Sequence, residues 1–184
     1  EGARMEPDPI TEDADGKIPA GKENIPEKTN IADALVRFGK YVGPTSGVSM
    51  LPMLRTGRDS VVVLPKTERL RPLDVALYRR GGAYVLHRVI SVSEKGYVIR
   101  GDNCYADERV PEEAVIGVLT EYFRKDERIS MTDERYLRYA RKRVKNYPAR
   151  LFFHRIRLRL KAAAKRCLFF FQRKKVRTEK GERK

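Results

Sequence analysis

The sequence predicts a mainly β domain followed by a basic helical extension. Between residues 46 and 123, short runs rich in Val, Ile and Tyr are cut at intervals by Pro and Gly. That region has no alternation of strands with long helical patterns, and the composition changes abruptly after it, at residue 124. Turn-punctuated short apolar runs without a βαβ rhythm point to an all-β or mostly-β fold.

The first segment, 1–30, carries four basic and eight acidic side chains with Pro7, Pro9, Pro19 and Pro26, and hardly a large apolar residue. Such a stretch cannot bury enough surface to offset its ordering entropy, so it is expected to be disordered. It has no apolar core of the kind a secretory signal carries. Behind Asn30, a candidate N-cap, the residues Ile31, Leu35, Phe38 and Val42 recur at helical spacing until Gly43-Pro44, which predicts one short amphipathic helix over 31–42.

The strands follow in order. Residues 60–64 are Val-rich and stopped by Pro65. Residues 74–78 follow Pro72, and Gly81-Gly82 turns the chain into 83–91. The run 97–100 ends at Gly101-Asp102-Asn103, and 114–123 follows Pro111. A domain over 31–123 is therefore expected, near neutral in charge.

The last segment, 124–184, holds 23 basic and 6 acidic residues, so the chain's net charge of +15 originates there. A charged helix is expected over 133–146, interrupted at Tyr147-Pro148. A second helix from Pro148 places Phe152, Ile156, Leu160, Ala163, Ala164, Cys167, Leu168 and Phe171 on one face among arginines and lysines. An apolar stripe beside cations suits an anionic membrane surface, with residues 148–172 in contact, or packing on the β domain or a partner, better than it suits nucleic acid, because phosphate binding needs no stripe. No stretch approaches the ~18 apolar residues of a membrane span. A cytoplasmic or peripheral-membrane protein is expected. Two cysteines, Cys104 and Cys167, form neither a disulfide framework nor a zinc pattern, and neither metal nor cofactor is expected.

Three blocks carry candidate chemistry. Gly47-Val48-Ser49-Met50-Leu51-Pro52 places a serine beside a glycine that permits close backbone approach. His87-Arg88-Val89-Ile90 holds the only histidine of the β region, and Gly101-Asp102-Asn103 opens a turn that offers carboxylates at Asp102, Asp107 and Glu108. A serine hydroxyl is a poor nucleophile until a base removes its proton. Histidine suits that role near neutral pH, and a carboxylate can fix its tautomer.

In this order and spacing, with Arg71-Pro72-Leu73-Asp74-Val75 as a fourth block, the sequence resembles the serine peptidases of the signal peptidase I and LexA-repressor superfamily. The resemblance covers about residues 43–120. It implies a β-rich peptidase fold with Ser49 as nucleophile. His87 stands as base, as in the endoplasmic-reticulum and archaeal type, and Asp102 or Asp107 orients it; in the later acidic pair the final position here is Glu108. Leu73 stands where the family has glycine. Where membrane signal peptidases carry an anchor, this chain has the charged segment 31–42. The resemblance implies no cofactor and a substrate that is an extended peptide or preprotein. A LexA-like self-cleaving regulator and a non-catalytic peptide- or membrane-binding module are the alternatives.

Overall fold

The computed structural model describes residues 30–181, with side chains through Arg166. The expectations for the acidic segment before Asn30 lie outside the described residues, and those for Cys167, Leu168 and Phe171 on the helical stripe lie outside the described side chains. Among the described residues the fold is mainly β, with eight antiparallel strands and three α-helices, one of them C-terminal.

Helix α1 spans Ile31–Phe38, with the Asn30 side chain accepting from the Ala32 N–H at 3.2 Å. It is shorter than the apolar spacing predicted. Gly39 takes a left-handed conformation (φ 65°) and ends the helix, and Val42 belongs instead to strand β1, Tyr41–Pro44. The remaining strands are β2 (Asp59–Pro65), β3 (Val75–Arg80), β4 (Ala83–Ser93), β5 (Gly96–Arg100), β6 (Glu108–Val110), β7 (Val115–Arg124) and β8 (Glu127–Ser130). Their order in the sheet is β1-β2-β7-β3-β4-β5-β6, with β8 pairing β7. The five predicted runs correspond to β2, β3, β4, β5 and β7; β1, β6 and β8 are additional.

Strand β3 shows how the core is arranged. Successive strand side chains point to opposite faces, and the four residues Val75–Tyr78 are all buried. Val75 and Leu77 enter a cluster with Leu35, Met53, Val61 and Leu119. Ala76 and Tyr78 enter a second cluster with Val89, Tyr97, Ile99 and Val110. One central strand thus separates two apolar layers.

The sheet does not end at residue 123. β7 runs through Arg124 and turns at Lys125 into β8, which returns along it. Helix α2, Glu134–Lys145, then buries Tyr136 and Ala140 in the first cluster. Much of the segment expected as a separate tail is therefore part of the β domain. The helical break falls at Asn146, and helix α3 runs over Tyr147–Gly181. No helix among the described residues is long and apolar enough to cross a membrane.

Leu73, at the position where the resemblance expects glycine, has φ 85°. The turn here is left-handed, with a side chain that disfavours it. Its N–H donates to the Val89 carbonyl at 2.9 Å, and the Val89 N–H donates to the Asp74 carbonyl at 2.8 Å, so the turn is locked to β4. At a residue of ordinary φ, alanine is favoured over glycine; here the order reverses. Leu73→Gly should be more stable than Leu73→Ala by about 1 kcal/mol, read from urea midpoints of the two variants. Equal midpoints would show that the turn relaxes.

Candidate active site

The serine loop lies between β1 and β2 and is held at both ends. Gly47 has φ 91°, a conformation costly for any side chain, and its carbonyl accepts from the Thr56 hydroxyl at 2.8 Å. On the other side the Asn103 N–H donates to the Ser49 carbonyl at 2.7 Å, and the Asn103 side-chain amide donates to the Val48 carbonyl at 3.2 Å. The Gly-Asp-Asn turn therefore clasps the serine loop. Ser49 is half-buried, Met50 beneath it is buried in the first cluster, and Pro52 is exposed. Among the described residues the Ser49 N–H has no backbone acceptor, which leaves it free to donate to a developing oxyanion.

His87, on β4 opposite Ala76 of β3, is 1% exposed. Its Nδ1 lies 3.1 Å from the Tyr78 hydroxyl oxygen and 3.4 Å from Glu108 Oε1. The Tyr78 hydroxyl donates to Glu108 Oε2 at 2.7 Å. Burial and that hydrogen bond push the phenol well above its ordinary pKa, so it keeps its proton. With its proton committed to Glu108, the Tyr78 oxygen can only accept from the ring. Nδ1 therefore carries the hydrogen and Nε2 presents its lone pair. Nε2 is buried without a hydrogen-bond partner among the described residues.

Gly101 shows where Nε2 points. A Cβ built on this residue would stand 2.9 Å from His87 Nε2, 2.7 Å from the Ser49 carbonyl and 2.7 Å from Cys104 Sγ. The absence of a side chain at this one position lets the histidine, the serine loop and the turn meet. Burial lowers the pKa of His87 and outweighs the opposing pull of Glu108, while Arg80, ion-paired to Glu108 at 2.9 Å, lowers it further. The ring is neutral at physiological pH. Burial pushes the Cys104 thiol up, so this neighbour is held as a thiol and is not an activated nucleophile.

Neither aspartate expected to orient His87 is bonded to it. Asp102, 4% exposed, is taken by Arg88, which is fully buried. Arg88 Nε donates to Asp102 Oδ1 and Nη2 to Oδ2, both at 2.8 Å, and the Tyr139 hydroxyl donates to Oδ2 at 2.9 Å. Asp107 pairs with Arg100 at 2.7 Å and stays half exposed. The first outcome follows from strand alternation, since Arg88 adjoins His87 on β4 and faces the opposite side; Asp107 stands just before β6, whose first residue is Glu108. The carboxylate on the histidine is Glu108, the final position of the acidic pair. Tyr78 was not singled out by sequence; its signal is its placement two residues from Ala76, the partner of His87, on the same face of β3. His154, which reads as a surface residue, stacks on Tyr105 with ring centroids 3.7 Å apart.

A cleft of about 480 Å³ opens beside the serine loop, lined by Ser49 together with Tyr41, Leu77, Tyr84, Val85 and Leu86. No group of three or more His, Cys, Asp or Glu side chains able to hold a metal occurs among the described residues. Comparison with protein-family models and with curated proteins gives no match.

Two outcomes follow for stability. Arg88→Met strands a buried carboxylate and should cost about 3–5 kcal/mol, whereas Arg88→Met with Asp102→Leu should cost clearly less; equal losses in denaturant titrations would contradict the pairing. His87 binds protons less readily folded than unfolded. Its contribution is therefore intact above the unfolded pKa of about 6.5 and is lost as pH falls from there through the lowered folded value. Urea midpoints of wild type should fall more steeply over that acid range than those of His87→Gln, and parallel slopes would refute a depressed His87.

Proposed function

We propose that the protein is a serine endopeptidase resembling signal peptidase I, in which Ser49 is the nucleophile, His87 the general base and Glu108, with Tyr78, the group that sets the tautomer of His87. The observation that carries this reading is the neutral imidazole with Nδ1 engaged by Tyr78 and Glu108 and a bare Nε2 directed at Gly101, beside the Ser49 backbone.

An extended peptide enters the cleft, with apolar side chains against Leu77, Leu86 and Tyr84. Ser49 Oγ attacks the carbonyl carbon while its proton passes to His87 Nε2. The oxyanion of the tetrahedral intermediate receives the Ser49 N–H. The imidazolium, stabilised by the Glu108 carboxylate through Nδ1–H, returns the proton to the departing amine nitrogen. The carbon–nitrogen bond breaks, leaving an ester on Ser49. Water, deprotonated by the same nitrogen, hydrolyses that ester and restores the enzyme. Among the described residues no hydrogen bond joins Ser49 Oγ to His87 Nε2, and catalytic hydrogen bonds are often long until substrate is bound.

Asp102 and Asp107 have positioning roles in this scheme. Asp102 holds the turn that carries Asn103, and Asp107 fixes Arg100 next to it.

A diverse peptide library, including signal-sequence-like peptides, digested by wild type and read by mass spectrometry should show cuts that vanish in Ser49→Ala and in His87→Ala. Glu108→Gln should lower kcat/KM by about 10²–10⁴-fold, and the low-pH inflection of its profile should move further acidic, since a charge that raises the His87 pKa is lost. Identical digests from wild type and Ser49→Ala would leave a peptide-binding module without catalysis. Release of a fragment from the protein itself, detected by intact mass, would favour a self-cleaving regulator.

A further inference from the structure

The face by which helix α3 docks is not its apolar one. Tyr147 donates its hydroxyl proton to the Tyr105 carbonyl at 2.8 Å, Arg150 Nη2 donates to the Asp102 carbonyl at 2.8 Å, and His154 stacks on Tyr105. These residues, spaced three and four apart, lie along one side of the helix. Phe152, two residues beyond Arg150 and so more than half a turn around, begins the other side, which continues through Phe153, Ile156, Leu160 and Ala163. Phe152 is 60%, Phe153 67% and Leu160 65% exposed. Up to His154 the helix grips the β domain with its polar side and leaves Phe152 and Phe153 outward, and from Arg155 to Arg166 it is exposed all round, so its apolar stripe is uncovered.

The charges flanking that stripe are of one sign. Arg157 and Lys161 border it on one side, and Arg155, Arg159 and Arg166 on the other, with no carboxylate from Tyr147 through Thr178. Two copies meeting face to face would bring these cations together without counter-charge. Nucleic acid would engage the cations and leave the phenylalanines in water. An anionic bilayer satisfies both: the apolar side chains enter the acyl boundary while the long cationic side chains reach back to lipid phosphates.

From this arrangement we infer that helix α3 is an interfacial anchor that lies on an anionic membrane surface, with Phe152, Phe153, Ile156 and Leu160 inserted, and holds the β domain there by its polar side. This inference rests on the helix and its docking contacts and is independent of the catalytic reading of Ser49.

The test is co-sedimentation of the full chain with vesicles of equal parts phosphatidylglycerol and phosphatidylcholine, beside vesicles of phosphatidylcholine alone. Wild type should pellet with the anionic vesicles and stay largely in solution with the zwitterionic ones. The triple variant Phe152→Ser, Phe153→Ser, Leu160→Ser replaces exposed side chains and should keep the circular dichroism of the fold, yet lose about tenfold or more in vesicle affinity. Arg155→Gln with Arg157→Gln and Arg159→Gln should lose about tenfold or more on anionic vesicles. Wild type remaining in the supernatant overturns the inference. So does anionic-vesicle binding that survives the serine substitutions, a concentration-dependent dimer that shields Phe152 and Phe153, or nucleic-acid binding in place of vesicle binding.

Discussion

The buried ion pair between Arg88 and Asp102 is the constraint on which the rest of the arrangement depends. Two charges inside a protein are costly unless every polar atom finds a partner, and here the partners come from four parts of the chain. Arg88 reaches Asp102 of the turn, the Leu73 carbonyl at 3.0 Å and the Tyr136 hydroxyl at 2.6 Å. Its Nη2 also lies 3.3 Å from Met53 Sδ, below the serine loop. The Asp102 carbonyl in turn accepts from Arg143 of α2 and Arg150 of α3. Satisfying this one pair fixes the serine loop, the clasping turn, the β3 entry and both C-terminal helices relative to β4.

That accounting explains the division of labour among the carboxylates. An aspartate held on both oxygens by a buried guanidinium, and by a tyrosine hydroxyl as well, is fixed in place by those partners and makes no bond to the imidazole. Glu108 stands nearer the surface, shared by Tyr78, Arg80 and His87, and its longer side chain crosses from β6 to the rings on β3 and β4. The structural pair and the candidate catalytic pair are thus kept on opposite sides of one strand, with Arg88 and His87 adjacent in sequence and apart in chemistry.

The positions of β2, β3, β4, β5 and β7 were legible because Pro65, Pro72, Gly81-Gly82, Gly101 and Pro111 punctuate them. β1 was hidden, since Tyr41 and Val42 fall in phase with the apolar residues of α1 and only the left-handed Gly39 separates the two elements. β8 and α2 read as part of a tail because their charges dominate their composition, although Tyr136 and Ala140 are as buried as any core residue. The blocks around Ser49, His87 and Gly101 could be read as candidates from residue type and order. Which carboxylate reaches the histidine could not: Asp107 and Glu108 differ by a single step along the chain, and only Glu108 belongs to the paired strand β6. Register decides it, and register is a property of the paired sheet.

Gly101 has a consequence for anyone wishing to transplant this site into another scaffold. The residues usually carried over in such a graft are those with functional atoms, here a serine, a histidine and an acid. In this sheet the Ser49 carbonyl and His87 Nε2 stand 2.7 Å and 2.9 Å from the point that a Gly101 Cβ would occupy. A recipient backbone that reproduced every side chain but offered an alanine at that point would hold the two groups apart. The minimal transferable unit therefore includes an atom that must be missing, together with the Asn103 clasp that draws the serine loop over the gap.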